Sequence, residues 1–359
     1  LQAYQEGFCE DLIFVPISII YDRIIEEKSY LKEIGGDLKE QENLKQLITA
    51  RRFLKKRYGK IYIRFNQPFS LSQYFSDRAQ PEKDSDLKLA YHLIQSINAV
   101  SLVTPLSLVA TAILANHRRG FHVSELLDTV KTLLGFLKTY GAPMADTLAD
   151  PPKAVQETLS LLISWKVVDL LEAVEKEEET FYYVDEEKKL ELEYYKNSII
   201  HFFVPHAFIA ISLLTGIEEV RAPESIISDY VFLRDLFKHE FVFDEDEDPQ
   251  EKVTTVVEYF LVSKFLTPSE RTVGYKITKL GFDNLPIWAA LAKTFLESYW
   301  IAAKSIGQRR SKGGKRGDIL KNMDYLGKRY HKLGLIDHIG ALSRLNYTNA
   351  MSFINENTL

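Results

Sequence analysis

Cysteine occurs once in 359 residues, at Cys9. A single thiol excludes an internal disulfide and fits a reducing, cytosolic environment. No run approaches the roughly 18 uninterrupted apolar residues that a spanning helix needs. The start carries no basic stretch or long apolar core of a secretion signal, and it opens on Leu1, as a piece beginning in mid-domain would. Histidine and cysteine nowhere take zinc-ligand spacing, and the Gly-x-Ser-x-Gly nucleophile elbow is absent. "SKGGKRGD" (311–318) has glycines and lysines but neither the spacing nor the Ser/Thr of a phosphate loop, and reads as a flexible turn. An excess of positive charge is missing too: the net charge is −5, so the total gives no sign of a nucleic-acid partner. What remains is ordinary for a soluble globular chain, 46% hydrophobic and 26% charged, long enough for two or three domains around a buried core.

Along the chain two regimes appear. Residues 1–76 alternate strand and helix signals. "IFVPISIIYDR" (13–23) is a short apolar, β-branched run with Pro16 inside it, a residue that cannot donate a ladder hydrogen bond. Leu44, Leu47, Ile48 and Leu54 follow at helical spacing, with Arg51, Arg52, Lys55 and Lys56 toward the C-terminal end that favours cations, until Gly59. "KIYIRFNQPFSL" (60–71) then alternates as a second strand, ended by Pro68. Strand, helix and strand make a βαβ-type unit, which predicts a parallel pair.

From Asp84 to Leu359 the pattern is helical almost throughout. Thr104 and Pro105 start one helix as N-cap and first-turn proline, and Ser124 caps the next. Further helices are predicted over 154–171, 190–214, 225–238, 252–265, 285–306 and 319–333. Two of them run into short β-prone pieces, "TFYYVDEE" and "RTVGYKIT", a repetition that hints at winged-helix-like units or a duplication. The sequence therefore predicts an α+β fold: a small β-containing part at 1–76, then a mostly helical domain at 84–359. Charge is uneven within it. "FDEDEDPQE" is acidic, whereas Arg309 to Lys332 holds nine Lys or Arg against two Asp, 9 − 2 = +7. Such a segment is either a solvated loop leading into a helix or a contact with anionic lipid.

Candidate chemistry is sparse. His201 and His206 lie five apart, on different helix faces, and read as buried or capped rather than as a shared metal site. His239 and Asp244 satisfy His-x-x-x-x-Asp, the pairing in which a carboxylate orients an imidazole base for acyl transfer to a hydroxyl. They sit where a helix end runs into an acidic loop, with no strand or glycine turn to fix them, so the pair is rejected as a catalytic dyad.

"DLIFVPISIIYDRIIEEKSYLKEIGG", "ENLKQL" and "RRFLKKRYGKIYIRFNQPFSL" together resemble the bacterial and mitochondrial glycerol-3-phosphate acyltransferases and their dihydroxyacetone-phosphate relatives. "VPISIIYDR" looks like the fourth conserved block of that superfamily, a strand whose proline lines the substrate cleft. "VTPLSLVATAILANHRRG", "YYKNSIIHFFVP" and "LRDLFKHEFVF" continue the likeness into the helical region. The resemblance implies that residues 1–76 are the rear of an α/β acyltransferase domain and that 84–359 are the helical C-terminal domain. It makes Val15, Pro16 and Ile17 an apolar wall beside the reacting groups, with Tyr21, Asp22 and Arg23 at the mouth. There Arg23 either pairs with a phosphate or joins a strand-end salt bridge.

The same resemblance implies acyl transfer from acyl-ACP or acyl-CoA to the 1-hydroxyl of glycerol 3-phosphate. It implies no metal or cofactor, and a peripheral place on the cytoplasmic face of a membrane. The family's catalytic His-x-x-x-x-Asp, its arginine block and its Glu-Gly-Gly block all precede the fourth block, so no catalytic residue is assigned here and the chain alone is expected to be inactive. The competing class is a non-catalytic helical interaction module. The acidic stretch from His122 to Lys189 argues against DNA as its partner.

Overall fold

The computed structural model describes residues 4, 6–21, 60–76, 85–116, 119–171, 179–216, 219–244, 246–310 and 319–357. The helix expected near 44–58, Asp22 and Arg23, and the glycine-rich turn at 311–318 lie outside them. The architecture is α+β, as the sequence implies: small antiparallel pairs of strands and a large helical body.

The N-terminal part is a two-stranded ribbon. Strands β1 (Ile13–Phe14) and β2 (Ile17–Tyr21) run against β4 (Phe69–Ser70) and β3 (Ile61–Phe65), respectively. Both pairs are antiparallel, with Ile13 opposite Ser70, and Ile17, Ile19 and Tyr21 opposite Phe65, Ile63 and Ile61. This corrects the expectation of a parallel βαβ pair: period-2 alternation reports which face is buried and says nothing about strand direction. Helix α1 (Leu71–Ser76) closes the ribbon and α2 (Ser85–Ala99) lies behind it. The Asn66 amide donates to the Ser96 carbonyl at 2.7 Å, and the Ser18 and Ser101 hydroxyls meet at 3.3 Å. A small separate core of Leu71, Tyr74 and Leu89 fills the corner, with His92 edge-on to Phe69.

The helical body repeats one plan twice. Helices α3 (Pro105–Asn116), α4 (Val123–Thr139) and α5 (Pro151–Ser164) lead into a hairpin of β5 (Asp169–Leu171) and β6 (Phe181–Tyr183), then α6 (Glu186–Asn197). Helices α7 (Val204–Thr215), α8 (Pro223–Leu236) and α9 (Pro249–Val262) lead into β7 (Leu266–Pro268) and β8 (Tyr275–Ile277), then α10 (Lys279–Arg310). In each unit a single residue after the first helix bridges to the hairpin, Phe121 to Tyr182 and Arg221 to Tyr275. In each, a lysine of positive φ ends the third helix, Lys166 at 59° and Lys264 at 61°. Three helices with a bridging residue and a two-stranded wing are the winged-helix plan, so the repeated helix-plus-hairpin hint holds.

Two glycines make the bridges possible. Gly120 and Gly274 have φ of 141° and 150°. A Cβ on Gly120 would lie 2.2 Å from the Phe181 ring, and one on Gly274 would lie 2.6 Å from the Arg221 carbonyl oxygen. Only glycine allows backbone and wing to approach so closely.

Each unit is built on its first helix. Helices α3 and α7 are apolar nearly all round and almost wholly buried, as a helix without a polar face must be. They pack against α6 and α10 respectively. Thr104 does cap α3, accepting from the Ser107 backbone N–H at 3.2 Å. Helix α4 is capped by His122 rather than Ser124, with Glu125 accepting from the His122 backbone N–H at 3.1 Å. Helices α11 (Ile319–Lys332) and α12 (Arg344–Glu356) pack on α10, which carries Pro286 within it.

His206 of α7 lies at the seam between the units, its Nε2 3.2 Å from the Tyr140 hydroxyl. Burial, with a smaller push from Lys252, holds its ring down to about 3, and burial holds His201 down to about 4. Both rings are therefore neutral in the fold, whereas the unfolded chain takes up their protons below about 6.5. The unfolded state then binds more protons, so these groups make stability rise with pH and fall away on acidification below about 6.5. Denaturation midpoints from pH 7 to 5 should drop, each histidine contributing up to about 1.4 kcal/mol per pH unit. His206→Phe should flatten that slope; an unchanged slope would mean that the ring titrates normally.

Candidate functional site

The ribbon gathers most of the sequence-assigned site. Asp11 anchors it: its carboxylate accepts from the Ser70 hydroxyl at 2.6 Å and the Ser72 and Leu12 backbone N–H groups at 2.9 and 2.8 Å. These bonds, that from Ser70 foremost, hold its carboxyl down to about 2. Pro16 sits between β1 and β2, where the ladder is interrupted, and its carbonyl accepts from the Asn66 N–H at 2.9 Å. A missing N–H costs nothing at such a break.

Alternation then separates the assigned residues. Val15, Ile17 and Tyr21 share one face, and buried Pro16 shares the other with Ser18, toward α2. The structure thus brings Val15, Ile17 and Tyr21 together and turns Pro16 away from them; Arg23 lies outside the described residues. Directly opposed residues point to the same side, so Ile61, Ile63 and Phe65 extend the first face. That face is exposed, from 37% at Ile17 to 66% at Phe65. A solvated face of an antiparallel pair ordinarily reads polar. Here the Tyr21 hydroxyl is its polar side-chain group among the described residues, so the face can hold apolar matter but has no base or acid for proton transfer.

His239 meets Glu356 of α12, 3.1 Å from its Nε2. His201 sits in the 3-10 turn Ile200–Phe202 and His206 in α7, in separate surroundings. A cavity of about 690 Å³ also opens among α2, α7, α10 and the loop at 240–244. Sequence reasoning missed it, because its lining comes from segments as far apart as Ile94 and Asn346 and no local spacing joins them.

The exposed side of α11 is basic. Lys321, Lys328, Arg329 and Lys332 share one helical face with Tyr325, and Leu333 and Leu335 follow it into solvent. Asp324 is taken by Arg344 at 2.6 Å, so the acid on this helix does not offset that face.

A family model described as the glycerol-3-phosphate acyltransferase C-terminal region matches residues 30–359. The chain belongs to this family. Relatives are similar along most of it: a glycerol-3-phosphate acyltransferase of Histophilus somni is 26% identical over 317 residues, 84% of this chain and 38% of that protein. One from Pseudomonas aeruginosa is 29% identical over 225 residues, 58% of this chain and 26% of the relative. An acyltransferase of Mycobacterium bovis is 24% identical over 330 residues, 89% of this chain and 52% of the relative. The chain thus spans about half or less of the length of the relatives it matches. Within the glycerol-3-phosphate acyltransferase C-terminal region fall β3, β4 and every helix described above, whereas β1, Pro16 and β2 precede the matched span. No helix among the described residues is long and apolar enough to cross a membrane.

Proposed function

We propose that this chain serves a glycerol-3-phosphate 1-O-acyltransferase, forming the rear of its acyl-transfer domain together with its helical region. The observation that carries this is the bare apolar face of Val15, Ile17, Ile19, Tyr21, Ile61, Ile63 and Phe65, with α2 already packed behind it. An antiparallel pair ordinarily turns a polar face to solvent, so a face that is apolar instead marks a surface built to be covered. The remaining strands, bearing the base and the phosphate-binding arginines, would cover that face, and Val15, Ile17 and Tyr21 would border the acyl donor, an acyl-ACP or acyl-CoA.

Without a positioned base the attacking hydroxyl loses about 10²–10⁴-fold in rate. Residues 1–359 alone should therefore fail to acylate labelled glycerol 3-phosphate, and a version extended upstream to the length of the relatives should succeed. Activity of the bare chain that vanishes in His239→Ala would overturn this reading and restore that histidine as a base.

We further propose peripheral attachment to the cytoplasmic face of a membrane through the basic side of α11. Each Lys or Arg near an anionic surface contributes about 1 kcal/mol, and exposed charges are screened beyond about 8 Å at physiological ionic strength. Co-sedimentation with phosphatidylserine-containing vesicles should fall as salt rises, and Lys328→Glu with Lys332→Glu should abolish it. Equal binding to neutral vesicles, or none to either, removes the idea. The two winged-helix-like units favour a second reading, a protein-binding module. It predicts that the extended chain also lacks turnover.

A further inference from the structure

The cavity of about 690 Å³ has no part in the acyl-transfer reading, and its chemistry is distinct from that of the ribbon. Its walls are apolar where Ile94, Leu190, Val204, Phe241, Phe243 and Phe295 line it. Most of its charges are compensated within the protein. Glu193 is paired with Lys196 at 2.6 Å, and Glu247 with Lys252 at 2.5 Å. Asp244, at the exposed rim, accepts from the Asp246 N–H at 3.0 Å.

Two lining side chains keep a buried polar atom with no partner among the described residues, His201 at Nε2 and Glu240 at Oε1. The His201 ring is neutral, and it bonds the Asn98 backbone in the sense that favours a ring N–H donor. Its free Nε2 is therefore a lone pair; the Glu240 carboxyl, its pKa raised by burial, is hydrogen-bonded by Asn349 and Tyr299 and keeps Oε1 open toward a further donor. Buried polar atoms are nearly always satisfied, so these unmet atoms on two lining residues call for donors from elsewhere. Among the described residues the lining leaves Glu240 and Asp244 without a cationic partner, which disfavours phosphate or carboxylate there.

We propose that this cavity binds an uncharged amphiphile, a short apolar chain bearing hydroxyl donors. The chain lies against the phenylalanines, and the hydroxyls supply hydrogen bonds to His201 and Glu240. A cavity of this size suits such a molecule.

The test reads binding alone, so it stands apart from any acyl-transfer assay. Calorimetric titration of residues 1–359 with 1-hexanoylglycerol should give saturable, one-to-one binding. Hexanoate and glycerol 3-phosphate should bind at least tenfold more weakly. His201→Phe, similar in volume, should weaken 1-hexanoylglycerol at least tenfold while leaving the melting temperature near wild type. Leu345→Arg, on the exposed rim and away from the core, should weaken it comparably. Absence of saturable binding by the wild type, equal binding of hexanoate, or affinity unchanged in both variants would overturn the assignment.

Discussion

Glu193→Ala should destabilise the protein by about 3–5 kcal/mol, far more than loss of an exposed ion pair would. The partner is Lys196, three residues on along α6, with its Nζ 2.6 Å from the Glu193 carboxylate. Both side chains are almost out of reach of water, at 7% and 2% exposure. Glu193 also accepts from the Thr294 hydroxyl of α10 at 3.1 Å, so it ties two helices together. Removing the carboxylate leaves an ammonium buried beside the Phe295 ring, 5.7 Å from its centroid, with no other anion paired to it among the described residues to offset its desolvation. The penalty comes from the stranded charge rather than from the worth of the pair. The double change Glu193→Leu with Lys196→Met should therefore recover most of the loss. Urea midpoints of the two variants decide the matter. A single variant within about 1 kcal/mol of wild type would show that Lys196 reaches water; a double variant as weak as the single would place the cost in packing.

Phe136→Ala should cost a similar amount, about 3–5 kcal/mol, and should also loosen the bond between the two repeated units. Phe136 belongs to the first unit, through α4, yet its ring is enclosed by the second. Trp288 of α10 lies edge-on at 4.9 Å, His206 at 4.4 Å, Tyr259 at 5.4 Å and Phe203 at 5.3 Å. Its side chain is 1% exposed, so truncation opens a cavity whose surroundings can relax only partly. The rings on the far side of that cavity belong to α7, α9 and α10, so the void opens at the seam and weakens the packing of one unit on the other. Calorimetry should show one transition for the wild type and two overlapping ones for the variant. A lower melting temperature with the transition still single would mean that α3 and α10 alone couple the units.

The sequence made the helical body legible because its signals are local. Thr104 and Pro105 start α3 where expected, and the β-prone pieces at 180–187 and 271–278 do fall in wings. Where the reading overran, the competing cause is identifiable. The helix expected over 154–171 ends at Ser164, since Lys166 turns the backbone left-handed while Val167 and Val168 continue the apolar period into the core. The single helix expected over 190–214 is α6, a 3-10 turn and α7; Pro205 was the available sign, masked by the apolar run around it. Strand direction in the ribbon was not legible, because a pairing partner is a long-range fact. The resemblance reached Val15, Ile17 and Tyr21, which do share a face, but a linear motif could not say that Pro16 points the other way. The cavity was invisible for the same reason: His201 and Glu240 acquire their meaning only when the chain brings them together.

The bare ribbon has a consequence for how such a chain must be made. A row of isoleucines on a two-stranded sheet whose edges, among the described residues, carry no further strand offers any second copy a ready surface for strand addition. Its safety depends on timing: whatever covers that face has to be folded and in place when β3 joins β2, or self-association competes with assembly. A negative charge placed at Ile19 or Ile63 would act as a gatekeeper, keeping the isolated chain dispersed while denying the covering domain its seat.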